Sequence, residues 1–164
     1  CVKYDIQKLR WINVQWLKKI RTEECINIII NFVSQSMTYS SEQKNTIIQL
    51  CHEQSTLITV LKNESETLQI IIDNLCIFDK NFAPIIDTTV LDQSLLADFK
   101  KMIQQATPDS IMSLCKEFLK NSADKKSAYS IIRMLLTGKI NGLSINLLFE
   151  HSNSSVILHR LQKI

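Results

Sequence analysis

Glycine and proline are nearly missing from this chain, with two of each among 164 residues. Tight β-turns depend on glycine, asparagine and proline, so a hairpin-rich fold is excluded in favour of helices joined by side-chain caps. Two glycines cannot build a phosphate-cradling loop, and there is no G-x-S-x-G. Histidine is thin too. His52, His151 and His159 contain no i, i+4 pair, and no acid or cysteine cluster has zinc spacing. Long apolar runs are absent: "INIIINFV" and "IIIDNLCIF" are interrupted by Asn and Asp, so neither a signal peptide nor a spanning helix is read. Nothing in the sequence looks catalytic, and no cofactor is expected to bind these residues. The cysteines, Cys1, Cys25, Cys51, Cys76 and Cys115, are odd in number and contain no C-x-x-C. Most sit among Ile and Leu, which predicts buried free thiols in a reducing cytoplasm.

What is present is enough for a folded core. Hydrophobic residues make up 45% and charged residues 21%, which argues against disorder. The net charge of +3 hides an uneven distribution. Residues 1–21 hold six Lys/Arg against one acid, a balance of +5. Residues 22–99 hold three against eleven, or −8, and residues 100–164 hold ten against four, or +6. If the two basic ends share a side, they attract a polyanion.

The periodicity predicts an all-α chain. A first helix covers 4–20, from Tyr4 to Ile20, capped by Asp5, with Ile6, Leu9, Trp16 and Ile20 as its apolar stripe. Thr22 is expected to cap a second helix reaching about Met37. Ser40 and Gln43 form an S-x-x-Q capping box before a third, extending to Leu61. Asn63 and Glu66 repeat that spacing before a helix to Phe78, and "FDKNFAPIID" reads as a loop. Leu91 to Gln105 and the stretch after Thr107-Pro108-Asp109 give two more helices. A break near 79–92 divides the chain into two helical lobes, 1–90 and 91–164.

The most informative stretch runs from Lys126 to Leu161. Ala128, Ile131, Ile132, Leu135 and Leu136 fall on one helical face. Lys126, Tyr129, Ser130 and Arg133 follow the same spacing on the other side, and Gly138 supplies a left-handed stop. A polar loop with Gly142 follows. A cation, a ring and a hydroxyl leading into bare backbone are suitable equipment for holding an unstacked base. The bland alternative is a solvated helix face with an ordinary cap.

Three segments, in order, carry a family resemblance. "YDIQKLRWINVQWLKK" is similar to "fDxxKLxWxNxxYIr" in bacterial-type glutamyl-tRNA synthetases. "VLKNESETLQIIIDNLCIF" is similar to that family's "lmRPRxxTLxElxxxxxflF". "RMLLTG", a loop and "LHRL" resemble its "LRxALTG", loop and terminal "RRL". The resemblance implies a two-lobed α-helical bundle, the α-helix cage that grips a tRNA anticodon. It also implies a parent glutamate-tRNA ligase, a class I enzyme of protein biosynthesis. Because the first residue is Cys1, the expectation is a fragment whose catalytic domain, with its HIGH-like and KMSKS-like signatures and its ATP and Mg, lies upstream. This part itself would hold no catalytic site.

Two departures from the pattern matter. Aligned through Thr67-Leu68, the family's second arginine of "RPR" falls on Glu64. The resemblance places that position at the third anticodon base, C in glutamate tRNA and G in glutamine tRNA. A carboxylate only accepts hydrogen bonds. Guanine offers two adjacent donors on its Watson–Crick edge, and cytosine offers one donor beside two acceptors. Glu64 therefore favours glutamine tRNA, whose glutamylated form would pass to a tRNA-dependent amidotransferase. The alternatives are a glutamate-specific enzyme, with Glu64 only an acid in the first turn of a helix, or a helical protein-interaction module. The family's Thr-Pro-Gly-Leu falls on Gly142-Leu143-Ser144-Ile145. By this resemblance the anticodon set is Glu64, Arg133, Thr137, Lys139, Gly142, Leu143 and Ile145: Arg133 and apolar Leu143 and Ile145 at bases, Lys139 at a phosphate. The expected partner is tRNA rather than a membrane, and the expected state is a cytoplasmic monomer.

Overall fold

A computed structural model describes residues 5–163, so the expectations for Cys1 and Tyr4 lie outside the described residues. Ten α-helices and one short 3-10 turn account for the regular structure, with no strand among the described residues. The chain divides into two compact units, residues 1–79 and 80–164.

The first unit holds α1 (Ile6–Lys19), α2 (Thr22–Gln35), α3 (Ser41–Glu53), α4 (Ser55–Glu64) and α5 (Leu68–Cys76). Helix α4 is its axis, touching each of the other four. Leu57, Ile58 and Leu61 of α4 are wholly or almost wholly buried, which removes roughly 2 kcal/mol of apolar surface from water per side chain. Local chemistry fixes the helix starts. Asp5 accepts from the Gln7 and Lys8 amides, and the Ser40–Gln43 box is formed in both directions.

Several boundaries differ from expectation. Thr22 is the first residue of α2 rather than its cap, and its hydroxyl pairs with that of Thr59 at 2.8 Å. The long third helix is two, broken at Gln54, whose backbone leaves the helical region (φ −115°, ψ 38°). The Asn63–Glu66 box does not form. Thr67 accepts from the Ile70 amide instead and caps α5, so Glu64 ends a helix rather than beginning one. Of the four residues of the stripe predicted on α1, Ile20 is buried and Ile6, Leu9 and Trp16 are exposed, while Leu17 is buried as well.

The second unit holds α6 (Gln93–Ile103), α7 (Ile111–Asn121), α8 (Lys125–Thr137), α9 (Ile145–His151) and α10 (Ser154–Leu161), preceded by the 3-10 turn Thr88–Val90. Helix α8 is central, touching α6, α7, α9 and α10. All five of its predicted apolar residues are buried. Asp92 caps α6 two residues later than Leu91 suggested. Thr107-Pro108-Asp109 forms a leading turn, with the Ile111 amide donating to the Thr107 carbonyl at 3.0 Å.

The cysteines among the described residues are unpaired, with Cys25, Cys51 and Cys115 buried. Burial disfavours the thiolate and pushes Cys51 and Cys115 up to about 12. No helix among the described residues is long and apolar enough to cross a membrane.

Candidate nucleic-acid interface

Helix α8 positions the candidate site because its two faces are cleanly separated. The apolar face anchors it in the second unit. Asp124 caps its start by accepting from the Ser127 amide at 3.1 Å and the Ser127 hydroxyl at 2.6 Å. Those bonds hold the Asp124 carboxyl below its ordinary value. Gly138 ends the helix in the left-handed region (φ 74°), with its amide on the Met134 carbonyl at 2.8 Å. A Cβ at Gly138 would sit 2.9 Å from the Ile85 carbonyl oxygen, so the segment before α6 crosses close behind the helix end.

The outward face carries Lys126, Tyr129, Ser130 and Arg133. Tyr129 is 39% exposed. The Arg133 guanidinium lies 5.8 Å from the centre of the Tyr129 ring, within cation–π range. Arg133 also holds the loop that follows. Its Nε donates to the Leu143 carbonyl at 2.9 Å and its Nη1 to the Ile140 carbonyl at 3.3 Å. The loop is thereby preorganised, and remaining N–H groups on Nη1 and Nη2 stay available to a ligand. Thr137 donates to the Arg133 carbonyl at 2.9 Å and accepts from the Lys139 amide at 3.2 Å. It is buried and shapes the helix end.

In the loop, Lys139 and Gly142 are exposed. Gly142 has φ 128°, and a Cβ there would meet nothing within 4 Å, so its backbone is open to close approach. Leu143 and Ile145 are buried and anchor the two ends of the turn into α9, which Ser144 caps. Their side chains face the core and leave only backbone groups for recognition. Thus Arg133, Thr137, Lys139, Gly142, Leu143 and Ile145 gather at one corner of the second unit. Glu64 is an exposed residue at the end of α4, in the first unit. The sequence-based set left out Tyr129, whose signal was an aromatic four residues before Arg133 on the polar face.

Chemically, this corner offers a guanidinium edge, a cation at Lys139 and unencumbered backbone, and the outward face of α8 leading to it adds the Tyr129 ring and Lys126. It presents no thiol, and among the described residues no three His, Cys, Asp or Glu side chains gather to hold a metal. No protein-family model matches the chain, and no curated protein matches it. The likeness to glutamyl-tRNA synthetases stands on the three quoted segments.

Proposed function

We propose that the second unit binds an unpaired RNA loop on the outward face of α8, and that its target is the anticodon loop to which the sequence resemblance points. The observation that carries this reading is the half-exposed Tyr129 ring beside the Arg133 guanidinium, next to Lys126, Lys139 and the open Gly142 backbone. A base stacks on the ring, phosphates pair with the lysines, and base edges meet Arg133 and loop amides. The chain supplies recognition, and the ATP-dependent glutamylation of tRNA belongs to the parent ligase. Separately, in the first unit, the resemblance assigns to the acceptor-only carboxylate of Glu64 a preference for glutamine tRNA over glutamate tRNA, whose glutamylated form an amidotransferase would take up.

The test is a gel shift of the 164-residue chain with the two anticodon stem-loops. Binding weakens steeply as salt rises, as phosphate-driven association must. Tyr129→Ala weakens binding about tenfold or more, because one stacked base contributes roughly 1–3 kcal/mol. Salt-insensitive binding, or an unchanged affinity for Tyr129→Ala, overturns the assignment. Equal affinity for the two stem-loops removes the role of Glu64 alone.

A further inference from the structure

Helix α1 exposes more apolar side chain than it buries. Ile6 is 64% exposed, Leu9 49%, Trp11 63%, Ile12 47% and Trp16 43%, while Leu17 is its one buried residue. Leu9, Ile12 and Trp16 fall at i, i+3 and i+7, which aligns them as one stripe along the helix. Beside the stripe runs a shallow groove of about 330 Å³ lined by Ile6, Leu9, Arg10, Asn13, Glu66 and Thr67. Its far wall is held by Asn13 Nδ2 donating to the Glu66 carbonyl and by an Arg10–Glu66 ion pair at 3.8 Å. An apolar stripe next to a groove on one small unit is the kind of surface that marks a docking site.

Charge selects the occupant. Ile6–Lys19 carries Lys8, Arg10, Lys18 and Lys19 and no acid. Two copies of α1 laid together would bring together Lys8, Lys18 and Lys19 of each, six cations without an acid on the helix, so a second copy of this chain is disfavoured. A nucleic acid uses cations and ring planes but gains nothing from Ile6, Leu9 and Ile12, because such interfaces are polar. A lipid surface is flat and would cover the stripe without filling the groove beside it, whereas a side chain of a partner helix can enter that groove. We infer that the exposed stripe and groove of α1 receive an amphipathic helix of a partner protein, one whose apolar i, i+3, i+7 stripe is bordered by Asp and Glu. The partner's apolar residues cover Leu9, Ile12 and Trp16, a side chain enters the groove, and its carboxylates meet Lys8 and Lys19, which border the stripe. This is helix-in-groove recognition with tryptophan anchors. It rests on different residues from the RNA reading and stands or falls without it.

Both tryptophans of the chain lie on α1, Trp16 within the stripe and Trp11 off it, so their fluorescence reports on this helix. The probe is a synthetic amphipathic helix with leucine at i, i+3, i+4 and i+7 and glutamate on its polar positions, titrated into the 164-residue chain. The expected result is a saturable blue shift of tryptophan emission. The double variant Leu9→Ser, Ile12→Ser weakens binding by about tenfold or more while its thermal unfolding is unchanged, since both residues are exposed. Tyr129→Ala leaves peptide binding as it was. No saturable shift, or the same shift with a peptide carrying lysine for glutamate, overturns the proposal. So does a shift produced only by phosphatidylserine-containing vesicles or only by single-stranded RNA, which would assign the surface to lipid or nucleic acid.

Discussion

Helices α1 and α8 are nearly equal in length, at 14 and 13 residues, and both carry cations, yet they use apolar residues in opposite ways. Helix α8 has seven buried positions and α1 has one. In α8 the apolar face builds the unit, and what remains outward is a ring, a guanidinium and a lysine. In α1 the apolar residues are left over after folding: the helix packs on α4, yet within its span only Leu17 is buried. Burial in one helix and surplus in the other separate residues that hold the fold from residues free for recognition.

The sharpest way to break this comparison is truncation. Leu135→Ala in α8 removes a fully buried side chain, and the lost transfer energy plus the cavity costs about 3 kcal/mol. Leu9→Ala in α1 stays within about 0.5 kcal/mol, the usual range for exposed positions. Urea unfolding followed by circular dichroism measures both. Equal costs would mean that α1 is held by packing at Leu9, and the surplus would not exist.

How far the sequence disclosed this is uneven. The face of α8 was legible because five apolar residues keep the helical period and a left-handed glycine closes the run. Helix α1 keeps a similar period, but periodicity reports an apolar face without reporting whether a neighbour covers it. The capping box at Ser40 was legible because both partners are local. The break at Gln54 was not, since no glycine or proline marks it and helix continues on either side. Asn63 and Thr67 competed for one role, and Thr67 holds it because its hydroxyl reaches the Ile70 amide. Within the candidate site, Lys139 and Gly142 are exposed and Arg133 bonds two loop carbonyls. Leu143 and Ile145 turned inward because a six-residue polar loop needs apolar anchors at its ends.

The two helices also stop differently, and their stops can be tested separately. Gly138 ends α8 through its left-handed backbone, with the neighbouring Thr137 hydroxyl bridging the Arg133 carbonyl and the Lys139 amide. Gly138→Ala places a side chain at φ 74° and a Cβ 2.9 Å from a backbone oxygen, which costs about 2 kcal/mol through strain and enforced movement of Ile85. Gly142→Ala is also strained, at φ 128°, but meets open space, so its cost is about 1 kcal/mol. Thermal unfolding of the two variants gives the difference. A larger loss at Gly142 would show that the loop, rather than the contact with Ile85, sets the end of α8.

Helix α1 is stopped by a side chain from another helix. Lys62 of α4 is 5% exposed. Its Nζ donates to the Leu17 carbonyl at 3.4 Å, the Lys18 carbonyl at 3.3 Å and Asn63 Oδ1 at 3.3 Å. A cation at the C-terminal end of a helix also meets the negative end of the helix dipole. Two effects oppose each other in Lys62→Met. Removing the ammonium relieves the cost of burying a charge, while the carbonyls of the last turn of α1 lose their donor. The bonds are long, so each contributes modestly, but the one to the Leu17 carbonyl is buried. The loss wins by about 1 kcal/mol, seen as faster amide exchange in the last turn of α1 with exchange in α8 unchanged. A neutral or stabilising Lys62→Met would mean that α1 ends by backbone preference at Ile20, and that its few buried contacts suffice to hold it on α4.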